Sequence, residues 1–174
     1  MCRQPAILCA AALCLLIAGC SQAPAPAPPP DTRAADEKAI RDGDVAWLAD
    51  WAAKDADKIV SHYADDAVLM VPDMPAMKGK EAIRAGLKMV LADPNISLTF
   101  SANSVDVARS GDLAFTQGVY TMVTTDPKTK KAVTEKGTYV TAYKKQPDGS
   151  WKAVQDINTP EAPAAPVTPP KKAS

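Results

Sequence analysis

The chain has 174 residues, and its 20 Lys and Arg residues balance its 20 Asp and Glu residues, so the formal net charge at neutral pH is zero. Because no basic stripe stands out from this balance, the composition excludes a protein that binds nucleic acid through basic residues. All four cysteines lie within the first 20 residues, which leaves the remainder of the chain without thiols for a disulfide or a cysteine-based metal site.

Residues 1–19 have the layout of a secretory signal peptide. Arg3 supplies a positive charge, and the uncharged apolar run over 6–18 is too short to cross a bilayer. The sequence IAGC, which ends at Cys20, resembles the lipobox of bacterial lipoproteins, in which the cysteine is acylated and becomes the new N-terminus. This resemblance implies lipidation at Cys20, since two or more acyl chains hold a protein stably in a bilayer. The alternative is an ordinary leader with an incidental cysteine.

The residues after Cys20 predict a tether and a location. The residue after Cys20 is Ser21. Because this residue is not aspartate, the position resembles the outer-membrane sorting signal of Gram-negative lipoproteins. Residues 23–30 alternate Ala and Pro before a run of prolines, which favours an extended polyproline II spacer. We therefore predict an acylated tether over 20–30 that anchors the protein in the bacterial cell envelope, on the outer membrane facing the periplasm. The Pro-rich segment 160–174 is predicted to be a disordered tail.

Between these segments, residues 31–159 are long enough for one domain with one core. Apolar residues at helical spacing predict a helix over 32–54, with Ile40, Trp47 and Trp51 on its buried face. Further helices are predicted over 55–63 and 79–91, with a short strand over 67–71 between them. The loop 72–80 contains Met74 and Met77, whose adaptable side chains suit a lid or contacts at the mouth of the fold. Ordinary packing of the loop is the alternative.

From residue 95 onward the hydrophobic period changes to two. This pattern predicts four strands, over 96–108, 113–125, 132–145 and 151–157. Gly, Pro and Asp residues between them supply turns, which favours an antiparallel meander. Helices gathered on one face of a curved antiparallel sheet predict an α+β fold.

Three stretches resemble a known family: DKIVSHYADDAVLMVP from Asp57, KGKEAIRAGL from Lys78 and KKQPDGSWKAVQDINTP from Lys144. Together they resemble the SnoaL-like, ketosteroid-isomerase-like superfamily, which has the cone-shaped fold of nuclear transport factor two, and within it small bacterial domains of unknown function. The resemblance implies a curved antiparallel sheet with three helices on its concave face, a cavity between them, and a dimer packed through the convex face. The fold hosts enzymes, scaffolds and binding modules, so it assigns no function.

The resemblance also locates the positions of isomerase chemistry, which uses an Asp base with a Tyr and a protonated Asp as the oxyanion hole. Alignment on YADDA implies that the base falls at Val71, the Tyr near Trp47 and the protonated Asp near Thr141. Because a valine side chain cannot accept a proton, we predict that this chain is not a ketosteroid isomerase.

Strand alternation, set by the same alignment, predicts the residues that face the cavity. On the last three strands these are Thr116, Gly118, Tyr120, Tyr139, Thr141, Tyr143, Val154, Asp156 and Asn158. Aromatic walls with a few hydroxyl and amide groups suit a small, mainly apolar molecule. The predicted ligand-binding residues are Trp47, Trp51, Met70, Tyr120, Tyr139, Thr141, Tyr143 and Asn158. The alternative is a packed cone whose tyrosines reach solvent at its mouth.

The alternate residues of these strands, which face away from the cavity, are apolar and predict a homodimer interface. Its residues are Phe115, Val119, Val140, Ala142, Ala153 and Ile157. A monomer whose second face is covered by its own tails is the alternative.

Asp156 is the only carboxylate predicted to lie inside the cone. Burial among aromatic residues would raise its pKa, which makes it a candidate catalytic acid or base, although an Asx side chain near a strand end also commonly bonds neighbouring backbone. His62 is predicted to be a surface or capping residue, and Asp65 and Asp66 are predicted to end the second helix. Because the chain has one histidine and no thiol beyond residue 20, we predict that it holds no metal ion and no cofactor.

The sequence therefore predicts an envelope lipoprotein whose domain binds a small apolar molecule or a partner protein. Two alternatives remain open: a lyase, cyclase or isomerase that uses Asp156, and a protein-interaction module with a filled cone.

Overall fold

The computed structural model describes residues 30–161. Its elements are α1 (Arg33–Ala52), α2 (Ala56–Ser61), β1 (Tyr63–Met70), β2 (Met77–Lys78), α3 (Lys80–Leu91), β3 (Ser97–Val107), β4 (Leu113–Thr125), β5 (Ala132–Lys145) and β6 (Trp151–Pro160). The predicted signal peptide, Cys20, most of the tether and the C-terminal tail from residue 162 lie outside the described residues. None of the helices in this part of the chain has the length and apolarity that a membrane crossing requires.

The six strands form one sheet in the order β2-β1-β6-β5-β4-β3. The predicted meander is confirmed, because β3, β4, β5 and β6 pair antiparallel in chain order. The complete sheet is mixed, because β1 runs parallel to β6. The connection between these two strands includes α3 and four strands, which is long enough for the crossover that parallel pairing requires. The α+β class and the three helices are confirmed.

Each helix begins and packs for a local reason. The buried residues of α1 recur every three or four positions and form one face: Asp36, Ile40, Asp44 and Trp47. The Asp55 side chain caps α2 by accepting a hydrogen bond from the Lys58 backbone N–H at 3.0 Å. Helix α3 follows Gly79, whose φ of 81° is a conformation that glycine adopts without steric strain.

The start of β1 departs from the predicted helix over 55–63. Helix α2 ends at Ser61, and Tyr63 already pairs with Ala153 of β6. Asp65 and Asp66 therefore lie exposed in a strand and do not end a helix. The change matters for the site, because it places the buried Tyr63 side chain on the sheet, where only 3 % of it is exposed.

A β-bulge in β6 changes which residues face inward. Thr141 pairs with Asp156 and Tyr143 pairs with Ala153, so Val154 is an extra residue in β6. Ala153, which simple alternation predicts on the outer face, is therefore fully buried. Val154, predicted inward, occupies the bulge and is half-buried.

The core lies between the helices and the concave face of the sheet. Its largest fully buried apolar side chains come from all three helices: Ile40, Ile59, Val60 and Ile83. On the sheet side they meet small residues, among them Ala67 and Ala153, each 0 % exposed. Small side chains on the sheet allow the helices to approach closely.

Candidate functional site

A cavity of about 280 Å³ lies between α1, α3 and the concave face of the sheet. This volume is close to the lower end of the range for small-molecule pockets, roughly 300–1,000 Å³. Its apolar walls are formed by Trp47, Trp51, Leu69, Val71, Met77, Leu87, Val90, Leu98, Phe100 and Met122. Its rim includes Pro72, Asp73 and Met74, which are exposed and belong to the connection between β1 and β2.

The structure brings most of the predicted site residues together at this cavity. Its lining includes Trp47, Trp51, Tyr120, Tyr139, Thr141, Tyr143, Asp156 and Asn158. Their roles in binding remain predictions.

The placement of Met70 is a correction. Met70 pairs with the outward-facing Ile157, whereas the preceding pair, Leu69 and Asp156, lies on the cavity side. Because side chains alternate across a strand, Leu69 and Val71 line the cavity in its place.

Asp156 lies in the cavity wall with only 8 % of its surface exposed. Its Oδ2 accepts a hydrogen bond from the Tyr63 hydroxyl at 2.7 Å, and its Oδ1 accepts one from the Thr141 hydroxyl at 3.2 Å. Burial raises the pKa of Asp156, and the two hydrogen bonds oppose this rise by favouring the charged form. Asp156 therefore retains a proton to higher pH than an exposed aspartate does, because its pKa is raised.

A second buried carboxylate, Asp44 on α1, contradicts the prediction that Asp156 is the only one inside. Its Oδ1 accepts a hydrogen bond from the Tyr143 hydroxyl at 3.0 Å. Burial raises the pKa of Asp44 to about 6; the bond from Tyr143 and the charge of Arg41 oppose this rise, and the charge of Asp156 adds to it. The helical spacing could have indicated that Asp44 is buried, because Asp44 lies on the same face of α1 as the buried Ile40 and Trp47.

Two tyrosines of the cavity lie over glycines of the neighbouring strand. Tyr139 on β5 is paired with Gly118 on β4, and Tyr120 on β4 is paired with Gly137 on β5. A Cβ atom at Gly118 would lie 2.6 Å from Cε1 of Tyr139, and one at Gly137 would overlap the Tyr120 ring. The two glycines therefore provide the space in which the rings lie flat against the sheet.

Edge-to-face contacts fix the aromatic walls. The Trp47 ring meets those of Tyr63 and Phe100 at centroid distances of 5.0 and 6.0 Å, and Phe100 meets Tyr139 at 5.7 Å. The hydroxyl of Tyr139 is buried and has no hydrogen-bond partner among the described residues.

His62 is the C-cap residue of α2, as its predicted capping role requires, but it is half-buried and does not lie on the surface. Its ring stacks on Trp47 with centroids 5.1 Å apart, and its Nε2 lies 2.8 Å from Oδ2 of Asp50. This contact supports the outer side of the Trp47 wall.

Sequence reasoning missed several cavity residues. Tyr63 was assigned to the predicted helix over 55–63, because the helical spacing of apolar residues continues through it. Phe100 lies on β3, whose inward-facing residues were not predicted. Glu135 lines the mouth, where its Oε1 accepts a hydrogen bond from the Tyr120 hydroxyl at 2.7 Å. Glu135 lies two residues before Gly137 on the inward parity of β5, which is the signal that could have identified it.

The three positions that the isomerase resemblance implies converge on the cavity. Trp47, Val71 and Thr141 all line it. The Thr141 hydroxyl bonds Asp156 on the adjacent strand, so a carboxylate lies beside the position implied for the protonated Asp.

A second cavity of about 260 Å³ adjoins the first. Trp47 and Tyr143 line both cavities, while Asp44, His62 and Trp151 line only the second. Across residues 30–161, no group of three or more His, Cys, Asp and Glu side chains is arranged to hold a metal ion.

Comparison with known proteins agrees with this architecture. A model of the SnoaL-like domain matches residues 44–154. No curated protein matches the chain. A ketosteroid isomerase-like protein from Erwinia carotovora atroseptica is 23 % identical with a TM-score of 0.63, covering 76 % of this chain and 98 % of its own.

Two further solved structures have the same fold. A nuclear transport factor 2-like superfamily protein from Salmonella enterica is 12 % identical with a TM-score of 0.63, covering 77 % of this chain and 96 % of its own. A nuclear transport factor 2-like protein of unknown function from Pseudomonas putida is 23 % identical with a TM-score of 0.59, covering 72 % and 87 %. At these identities the similarity shows the cone-shaped fold alone.

Proposed function

The chain belongs to the SnoaL-like domain family, and on this premise we propose that it is an envelope lipoprotein whose domain binds a small, mainly apolar molecule with a few polar groups. The observation that carries the proposal is the cavity of about 280 Å³, whose aromatic and aliphatic walls surround the hydroxyls bonded to Asp156. Such a combination of apolar surface and a few polar groups is typical of ligand sites. The open cavity argues against an interaction module with a filled cone.

Native mass spectrometry tests the binding proposal directly. The full chain, extracted from its own host in a mild detergent, should carry additional mass that dissociates on denaturation. Val90 lies half-buried in the cavity wall, so Val90→Phe should fill space and reduce the occupied fraction. Val45, 69 % exposed on α1, provides the matched control, and Val45→Phe should leave occupancy unchanged. A chain without extra mass, which also binds nothing from a metabolite extract, would refute the proposal.

The lipoprotein part of the proposal is supported by the IAGC sequence and the Pro-rich tether. Cys20→Ser should abolish incorporation of radiolabelled palmitate and release the protein from the outer-membrane fraction. Palmitate incorporation that persists in Cys20→Ser would contradict acylation at this residue.

A homodimer through the convex face is part of the proposal. The outer face of β4, β5 and β6 exposes large apolar side chains, each between 41 % and 49 % accessible: Leu113, Phe115, Val119, Val140 and Ile157. Contiguous apolar surface of this kind is typical of interfaces between subunits.

A second candidate function is acid–base catalysis by Asp156 as a lyase, cyclase or isomerase. It is favoured by one observation, a buried carboxylate of raised pKa in the wall of an open cavity. Val71 at the implied base position supports a reaction other than ketosteroid isomerisation. Asp156→Asn should abolish any turnover that a substrate screen detects, and full retained activity would exclude this role.

A further inference from the structure

The charged residues that line the main cavity are all acidic. Among the described lining residues these are Asp73, Glu135 and Asp156, and none is Lys, Arg or His. An anionic ligand would therefore contact acidic side chains and no cationic side chain of this lining. Because electrostatic interactions strengthen as water is excluded, this lining disfavours carboxylates and phosphates and favours a positive charge.

Among the described residues, Asp156 accepts hydrogen bonds from hydroxyl groups but contacts no cationic side chain. Each of its oxygens accepts one bond, from Tyr63 or Thr141. A carboxylate offers about four lone-pair sites, so acceptor capacity remains on both oxygens. No Lys, Arg or His among the described residues forms an ion pair with it, so a cationic ligand would stabilise the charged form of this buried carboxylate.

Asp36 shows what an internal cation does in the same domain. This carboxylate is 5 % exposed, and its Oδ1 lies 2.5 Å from Nζ of Lys145. Burial raises the pKa of Asp36, but the hydrogen bonds from Lys145, Thr32 and Trp151 outweigh burial and leave the pKa below its ordinary value. Asp156 has a similarly small exposed fraction but lies deeper in the protein, and its hydrogen-bond partners are hydroxyl groups.

The walls provide further stabilisation for a cation. Trp47, Trp51 and Phe100 are among seven aromatic residues that line the cavity. The negative ring face attracts an ammonium group by roughly 0.5–2 kcal/mol, with the larger values in desolvated sites. The mouth carries Glu135, so negative charge is present both at the entrance and at Asp156.

We propose that the cavity selects amphiphilic amines, with the ammonium group against Asp156 and the apolar body along the aromatic walls. This inference rests on the proposed small-molecule binding and adds the chemical class of the ligand. Amines of this class carry one positive charge on an aromatic or aliphatic body small enough for about 280 Å³.

Three probes of nearly equal shape test the proposal: 2-phenylethylamine, 2-phenylethanol and phenylacetate. Their binding to the acylated full chain in lipid nanodiscs is measured by calorimetry at neutral pH, with empty nanodiscs as the blank. The amine should bind about tenfold more tightly than the alcohol, and phenylacetate should bind more weakly than either. An alcohol that binds as tightly as the amine, or a preference for phenylacetate, would overturn the proposal.

Two variants assign the preference to Asp156. Asp156→Asn keeps the shape but removes the charge, so it should abolish the preference for the amine while the alcohol still binds. Retained alcohol binding shows that the variant cavity is intact; if the variant does not fold, the comparison of three probes on the native chain still decides. Asp42→Asn, which removes an exposed carboxylate of α1 that lines neither cavity, is the matched control and should change amine affinity by less than about threefold. An amine preference that survives Asp156→Asn would refute the assignment.

Failure of this inference is distinguishable from failure of the proposed function. If the alcohol binds without a preference for the amine, only the ligand class is wrong. If none of the three probes binds and native mass spectrometry finds no bound compound, small-molecule binding itself is refuted.

Discussion

At the scale of single residues, Asp44 gives the clearest dependence of stability on pH. Its pKa of about 6 in the folded protein exceeds the value of roughly 3.9 expected in the unfolded chain. Between these values the folded state binds more protons, so the free energy of unfolding should fall as the pH rises from about 4 to about 6. Asp44→Asn removes the buried charge and keeps an acceptor for the Tyr143 hydroxyl. The free energy of unfolding above pH 6 should therefore increase, on the order of 1 kcal/mol.

Urea denaturation at a series of pH values checks this prediction. The difference in unfolding free energy between the native chain and Asp44→Asn should grow across the range from about 4 to about 6 and then level off. Asp42 lies on the same helix, is exposed, and pairs with Lys38 at 2.6 Å. Asp42→Asn should show little change across this range, and a native profile parallel to that of Asp44→Asn would contradict the prediction.

The residues of the site were predictable where alternation is regular. Tyr120, Tyr139, Thr141 and Asp156 follow a period of two, and the structure places all of them at the cavity. Ala153 was not predictable, because a bulge leaves no signature in the local pattern of apolar residues. Asp44 was missed for another reason: a carboxylate on a helix is ordinarily assigned to solvent, and only a hydroxyl from a strand distant in sequence makes its burial favourable.

At the scale of elements, the contact between β4 and β5 depends on glycine. Gly118→Ala would place a methyl group against both the Tyr139 ring and the backbone of Ser101. Since backbone cannot move aside as a side chain can, we expect a loss of about 1–3 kcal/mol in unfolding free energy, measured by chemical denaturation. Gly43→Ala on α1 is the control, because nothing lies within 4 Å of the added carbon and alanine favours a helix by up to about 1 kcal/mol. A Gly118→Ala variant as stable as the native chain would show that the strands adjust.

Most elements followed from local patterns. The four strands of the meander carry a clear alternation, and α1 and α3 carry a helical one, so both types were predicted close to their observed bounds. The start of β1 was not, because Ile59, Val60 and Tyr63 continue a helical spacing. The strand forms there because β6 offers backbone partners, which a single stretch of sequence does not reveal.

At the scale of the whole molecule, the convex face bears on assembly. Phe115 is 45 % exposed on this face, and we expect Phe115→Lys to convert a dimer into a monomer because it places a charge in an apolar interface. Sedimentation equilibrium in density-matched detergent measures the molecular mass. Val45→Lys, on exposed α1, should leave the mass unchanged. A native chain that sediments as a monomer at all concentrations would contradict the dimer.

The position of the tryptophans gives the domain a built-in optical reporter. Of the three in the chain, Trp47 and Trp51 line the main cavity, whereas Trp151 lies under the ammonium group of Lys145, 5.4 Å from its ring centroid. Indole emission responds to the polarity around the ring, so displacement of water from the cavity should shift the emission of Trp47 and Trp51 to shorter wavelength. Trp151→Phe would remove the background signal, and the fluorescence of the remaining pair would then report occupancy without an added dye.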